Sequence, residues 1–371
     1  MGEEEGVAMT ARRLDSLVKE DYSLKDLNTF RLKIKAKYFA EIESEDCLER
    51  LLDERPFGGQ KFLVLGHGSN LLFSSDYEGL VVQMRLKGKR VVSEDDDQVV
   101  LDVWGGEDWS ELVRYAVDRG WGGIENLAMV PGTVGAAPIQ NLACYGQNLV
   151  DVFVSLDAVD LAGGTLKAFT ADECAFSYRD SKFRSPEGRK YLVTKVRLSL
   201  SKHPVVETSY HSRYESVEHE LKMVKDPPYT IRDVYQAVCN IRSRKLPDLE
   251  QVGSAGSFFK NPVVSRDKAR EIRKTLPDLQ IYPVDQLLYP QRGELGVHDQ
   301  DRVKVPAGWL LEEMGWKGKR IGNCGLWPSH ALVVVNYGGA TPEELLGFVE
   351  TVREAFSKRY GIRLENEVDV V

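Results

Sequence analysis

Between Gly122 and Gln147 the chain reads GGIENLAMVPGTVGAAPIQNLACYGQ. The stretch is crowded with glycine, alanine and other small residues, and it carries prolines at 131 and 138. It is too long and too particular for an ordinary connection in a compact domain, and not polar enough to be disordered. Long loops of this kind are functional, so the fold has to be built around it. Before it, Asp108–Arg119 sets Leu112, Val113, Ala116 and Val117 at helical spacing, with Gly120 just past the end. After it, strand patterns return at Val152–Leu161, Thr165–Phe169 and Tyr191–Leu200.

The flanking pattern mixes strands and helices. Arg31–Glu41 partly alternates and reads as a strand, and a helix is expected around Asp46–Glu54. KFLVLG (61–66) reads as a short buried strand that ends in the glycine-rich turn GHGSN, and Gln98–Val103 as a further strand. Residues 202–232 are polar with few core positions, which predicts a mobile loop or lid and a domain boundary near its end. A helix over Asp233–Arg244 opens the second part. The last helix is the best marked. Thr341 and Glu344 form a T-x-x-E capping box around Pro342, Leu345, Phe348, Val349, Val352 and Phe356 make its apolar stripe, and Gly361 ends it. The chain then finishes as RLENEVDVV, a strand pattern. A length of 371 residues suggests two or three domains.

A net charge of -8 with no basic block argues against nucleic-acid binding, which depends on Lys and Arg contacts to phosphate. Anionic small ligands stay open. The five cysteines (47, 144, 174, 239 and 324) form no C-x-x-C and no zinc spacing, so reduced thiols and no metal site are expected. Apolar runs such as Ala331–Val335 fall far short of the roughly 18 residues of a membrane helix. The acidic N-terminus, MGEEEGVAMTARR, has no apolar core of a secretory signal. Cytoplasm and no membrane partner are the expectation.

Several segments could carry chemistry. GHGSN (66–70) offers backbone N–H groups at a Gly-x-Gly turn, with Ser69 and Asn70 as added donors, which suits a pyrophosphate. Taken alone, a plain turn between strands is the stronger reading. It is not G-x-G-x-x-G, which argues against a Rossmann site. In PGTVGAAPIQN (131–141), Gly132, Gly135, Ala136 and Ala137 keep a wall low enough for a large flat group, and Gln140 and Asn141 offer amides to its edge. A small-residue packing corner is the plainer alternative. In SYRDSKFR (177–184), Arg179 could fork onto a carboxylate or be a surface partner. GSAGSFFKNP (253–262) puts Ser254 and Ser257 on a tight, open turn. It contains no G-x-S-x-G elbow, and none of the six histidines is tied to it by sequence, so a hydrolase triad has no support. Glu365 and Glu367 share a face of the last strand by two-residue alternation.

In the order NTF (28–30), GHGSN, ENLAMVPGTVGAAPIQN (125–141), YRDS (178–181), KLPD (245–248), GSAGSFFKNP, AGWLLEE (307–313), HALVVVN (330–336) and LENEV (364–368), these segments resemble the UDP-N-acetylenolpyruvoylglucosamine reductases. The resemblance runs from about residue 22 to the end. It implies an α+β fold, with a PCMH/VAO-type FAD-binding domain of two α+β subdomains followed by an α+β substrate-binding domain. The expected division is an extension at 1–21, the FAD-binding domain at 22–201, a substrate loop at 202–232 and the C-terminal domain at 233–371. The loop carrying Tyr210, together with Tyr178, looks like the form of the family with an extra substrate-covering segment.

The reaction implied is reduction of enolpyruvyl-UDP-N-acetylglucosamine to UDP-N-acetylmuramate, a peptidoglycan precursor, with NADPH as hydride donor and non-covalent FAD as carrier. Hydride addition at C3 builds negative charge on the conjugated carboxylate, so a preorganised cation and a hydrogen-bond partner are needed there. By the match these are Arg179 and Glu367, with Glu367 protonated or sharing a proton, since two bare anions repel. Ser257 is then the general acid that gives a proton to C2. Tyr178, Tyr210, Lys245, Asn261 and His330 match substrate contacts. FAD contacts fall on Asn28, Thr29 and Phe30, on Leu65, Gly66, His67, Gly68, Ser69, Asn70 and Leu71, on Pro131, Gly132, Thr133, Val134, Gly135 and Ala136, and on Gln140, Asn141, Ala143 and Gly146. The run LACYG departs from relatives with Gly-Ala before Tyr-Gly, and Ala143 and Cys144 add bulk near the expected flavin. A monomer is expected. Two other readings stay open: a flavin oxidase on the same architecture, and a UDP-sugar-binding protein without catalysis.

Overall fold

The computed structural model describes residues 17–54, 61–208, 216–284 and 299–371. Three sheets organise it. The first has the strand order Val18–Ser23, Lys35–Ile42, Tyr77–Met84, Phe62–Leu65, with the first pair antiparallel and the rest parallel. The second is antiparallel throughout, in the order Thr165–Thr170, Phe153–Asp160, Tyr191–Ser201, Gln98–Trp104, Lys89–Glu94. The third, also antiparallel, runs Gly253–Ser257, His330–Asn336, Cys324–Trp327, Arg320–Ile321. Helices pack beside these sheets, which gives the expected α+β class.

Local chemistry sets the element ends. Asp108 caps the helix Trp109–Asp118 by accepting the Glu111 N–H, and Leu112, Val113, Ala116 and Val117 are buried as their spacing predicts. Thr341 and Glu344 complete both halves of the capping box on Pro342–Tyr360, and Gly361 closes it at φ 66°. The first long strand begins at Lys35 rather than near Arg31. Upstream, the Asn28 amide donates to the carbonyls of Leu24 (2.7 Å) and Leu32 (3.1 Å), which holds residues 24–32 as a turn with Arg31 at φ 58°. The polar stretch 202–232 holds a helix, Val217–Lys222, capped by Ser216 and buried at Val217 and Leu221.

Two large cores result. One joins Phe30, Phe39 and Phe73 of the first unit to Phe258, Leu310 and Phe356 of the C-terminal domain. The other lies against the second sheet and takes in Ile231, Val234 and Val238 of the helix Ile231–Lys245. That helix begins at the expected boundary, yet its apolar face packs on the second unit. The C-terminal tail crosses between parts: Asp369–Val370 pairs in parallel with Leu71–Leu72. All five cysteines are free thiols.

Candidate active site

Two neighbouring cavities, of about 620 and about 340 Å3, share Ser69, Asn70, Thr133, Ala136 and Gln140 in their walls. The smaller is built on the turn after Phe62–Leu65. Gly68 sits at φ 62°, where a Cβ would stand 2.0 Å from the Leu27 carbonyl oxygen. A Cβ on Gly66 would meet Thr133 Oγ1 at 2.7 Å. At Gly68 only glycine lets one backbone approach the other so closely. No protein acceptor among the described residues takes the N–H groups of Gly68, Ser69 and Asn70. Free N–H groups on a tight turn form a cradle for an anion, and the low wall at Gly135 and Ala136 leaves room for a flat group beside it. The residues therefore fit the diphosphate and ring system of FAD. Burial holds the His67 imidazole below its usual pKa, so it stands neutral beside Asp108 at 3.6 Å.

The predicted cofactor residues divide into lining and support. Leu65 to Leu71, Gly135, Pro131, Gly132, Thr133, Ala136, Gln140, Ala143 and Gly146 line one cavity or both. Asn28, Thr29, Phe30, Val134 and Asn141 line neither. Thr29 donates its N–H to the Gly68 carbonyl (3.2 Å) and so braces the cradle from behind, while Phe30 and Val134 are core. Asn141, in a left-handed turn, accepts from the Val150 N–H (3.2 Å) and donates to the Ser177 carbonyl (3.4 Å), tying the small-residue loop to the Tyr178 turn. We expect Gly68→Ala to purify with much less flavin at near-normal fold content, because relieving about 1–2 kcal/mol of left-handed strain and the Leu27 clash must move the cradle. A400–500 nm absorbance equal to wild type in the purified protein would refute this placement.

The larger cavity gathers Ser257, Arg179 and Glu367 from three distant segments. Ser177 and Asp180 exchange backbone hydrogen bonds around a two-residue turn, which puts Tyr178 and Arg179 at its corners. Arg179 takes φ 54°, a strained state for a non-glycine residue. Its Nε lies 3.0 Å from Glu367 Oε1, and its Nη1 donates to the Ala143 carbonyl (2.8 Å). The main-chain carbonyl at 143, which any residue there would supply, is thus a second acceptor for the arginine. The Glu367 and Val368 N–H groups both reach the Phe258 carbonyl (2.8 and 3.4 Å), and Lys260 N–H donates to Glu365 (2.9 Å). This lays the tail beside the Ser257 segment. The tail bends at 367–368, with Glu365 exposed and Glu367 half-buried. Ser254 is consumed structurally, donating to the Val334 carbonyl (2.9 Å) and accepting from the Gly256 N–H (3.2 Å). The Ser257 hydroxyl lines the cavity and bonds to no protein acceptor among the described residues.

One end of this cavity is cationic. Arg242, Lys245 and Lys317 surround His330. Burial first, and then these three cations, push the His330 pKa down to about 3. Its Nδ1 accepts the Leu332 N–H at 3.2 Å, so the neutral ring carries its proton on Nε2 and is a donor. Arg242 Nη1 approaches Cys144 Sγ at 3.4 Å, and its buried Nε has no partner among the described residues. Elsewhere in the wall, burial raises the pKa of the Tyr178 hydroxyl, and Lys304 Nζ lies 4.4 Å from the Tyr178 ring centre. Tyr210 lies outside the described residues. Arg242, Lys304 and Lys317 were not anticipated. Arg242 stands one turn before Lys245 on the same helix, a spacing that could have revealed it; Lys317 carries no comparable local signal.

Residues 247–371 match the family described as UDP-N-acetylenolpyruvoylglucosamine reductase, C-terminal domain, and residues 36–170 match the FAD binding domain. The chain is 37 % identical to UDP-N-acetylenolpyruvoylglucosamine reductase of Flavobacterium johnsoniae, over 95 % of this chain and 99 % of that one. It is 40 % identical to the enzyme of that name from Pseudomonas aeruginosa, over 94 % and 98 %. The crystal structure of UDP-N-acetylenolpyruvylglucosamine reductase (MurB) from Thermus caldophilus superposes with a TM-score of 0.61, at 23 % identity, over 95 % of this chain and 97 % of that one, and so shares the fold. With an FAD-binding domain, this C-terminal domain and near full-length identity of this order, the chain belongs to the UDP-N-acetylenolpyruvoylglucosamine reductase family.

Proposed function

We propose that this protein reduces enolpyruvyl-UDP-N-acetylglucosamine to UDP-N-acetylmuramate with NADPH, as a cytoplasmic step in making peptidoglycan precursors. The observation that carries this reading is the meeting of Ser257 with the Arg179–Glu367 pair in one cavity, between an anion cradle and a cationic end. When bound, FAD supplies the hydride that adds to C3 of the enol ether. The Arg179 guanidinium faces the substrate carboxylate as negative charge gathers there, and it is already fixed before charge develops. Glu367 shares a proton with the same carboxylate. The Ser257 hydroxyl gives its proton to C2, a strongly basic carbon at that stage. Lys245, Asn261 and His330 hold the diphosphate and sugar, with Arg242 and Lys317 adding charge. Tyr178 covers the sugar side.

The test is stopped-flow. NADPH should bleach the flavin, and only the enolpyruvyl nucleotide should restore its colour anaerobically; a reduced enzyme indifferent to that nucleotide would refute the reading. Lys245→Ala should raise the substrate KM about tenfold to hundredfold, the cost of one charge-assisted contact, with kcat changed far less. An unchanged KM would remove Lys245 from the diphosphate site.

A further inference from the structure

Arg179 and Glu367 stand on segments that no regular element joins. One is at the corner of a strained turn, the other at a bend in the tail. A single guanidinium spans them. Arg184 Nη1 donates to the Arg179 carbonyl at 2.9 Å. Its Nη2 donates to Asp369 Oδ1 at 2.7 Å and reaches the Glu367 carbonyl at 3.4 Å, an oxygen that the Asn70 amide also approaches at 3.3 Å. Arg184 is itself fixed. It ends the short helical turn Lys182–Arg184, which Ser181 caps and the buried Phe183 anchors. Its carbonyl accepts from Arg189 Nε at 3.2 Å, and its side chain is 13 % exposed.

We infer that Arg184 is a positioning residue: by binding the main-chain carbonyls of both Arg179 and Glu367, it sets the approach of their side chains. Asp369 orients the guanidinium for that task. The planar fork is essential, because the carbonyl donors must point in fixed directions that a lysine ammonium on a flexible stem does not hold. The inference rests on the roles proposed above for Arg179 and Glu367.

The test compares Arg184→Lys, Asp369→Asn and the double variant as flavin-loaded enzymes. Misplacing reacting groups by a fraction of an ångström lowers the chemical step by about tenfold to hundredfold, so kcat of Arg184→Lys should fall by that factor. The substrate KM and the rate of flavin bleaching by NADPH should each move by less than about threefold. Asp369→Asn should give a smaller loss, and the double variant should be no worse than Arg184→Lys alone, since both act through one contact. In the flavin-free protein, amides 366–371 should exchange faster in either single variant. An unchanged kcat in Arg184→Lys overturns the inference. So does a loss shared equally by bleaching and reoxidation and matched by a lowered Tm, which marks a purely structural role. Arg179→Lys and Glu367→Gln are run beside them. If those two keep normal turnover, the reading of the site has failed; if they lose it while Arg184→Lys does not, only the role of Arg184 has failed.

Discussion

Ser257→Ala enzyme will bleach its flavin with NADPH at close to the normal rate, yet turn over about a hundredfold to ten-thousandfold more slowly, the span of one general acid. The separation follows from geometry. The Ser257 hydroxyl belongs to the substrate cavity, and its loss touches neither the Gly68–Asn70 cradle nor the Arg179–Glu367 pair. The fold should tolerate the change, because the Ser254 and not the Ser257 side chain makes structural bonds in that strand, and the main-chain pairing of Ser257 with Val333 is kept. Solvent exchange gives an independent readout. With the serine gone, any residual product should carry a proton at C2 delivered from either face, so turnover in D2O should yield a mixture of configurations at that carbon. Normal turnover, or a matching loss in flavin bleaching, would remove Ser257 from its role. Ser257→Cys, with a donor at nearly the same place, should recover part of the activity.

How much of this was legible in the sequence depends on how local the cause is. The helix Pro342–Tyr360 was readable to its ends, since cap, stripe and closing glycine lie within one stretch. The small-residue loop stood out by its length and composition, which left a working wall or a packing corner as its readings. The resemblance brought Ser257, Arg179 and Glu367 together, although nothing near any of them signals the others. Features set by distant partners stayed hidden. Two-residue alternation placed Glu365 with Glu367, but it gave no sign that Glu367 alone of the two lines the cavity, where the Glu367 and Val368 N–H groups both reach one Phe258 carbonyl. The strands Tyr77–Met84 and Lys89–Glu94 were not anticipated. The first lies between two parallel partners and is buried on both faces, so it lacks the alternation that identifies a strand. Asn28 and Thr29 were expected as cofactor contacts by the resemblance; Thr29 N–H bonds the Gly68 carbonyl behind the cradle, while the Asn28 amide holds the turn at 24–32.

Deleting Leu364–Val371 should abolish turnover and lower Tm, and the two losses have different origins. The tail removes two core side chains, Leu364 and Val368, each worth roughly 1.5–3 kcal/mol of burial. It also removes the backbone bonds from Asp369 N–H to Asn70 and from Ser74 N–H to Val371 (3.1 and 2.7 Å), which hold the cradle's strand to the C-terminal domain. Flavin content should therefore fall as well. Glu367→Gln isolates the chemistry. Its main-chain bonds to Phe258 do not depend on the side chain, so fold, Tm and flavin content should stay near wild type. The carboxyl that shares a proton with the substrate carboxylate beside Arg179 is lost, so kcat should drop about a hundredfold to a thousandfold. A truncated protein with full activity would sink the role of Glu367 outright. A Glu367→Gln enzyme with normal kcat, beside an inactive truncate, would leave the tail as a brace for the cradle and move the proton-sharing role to another group in the cavity.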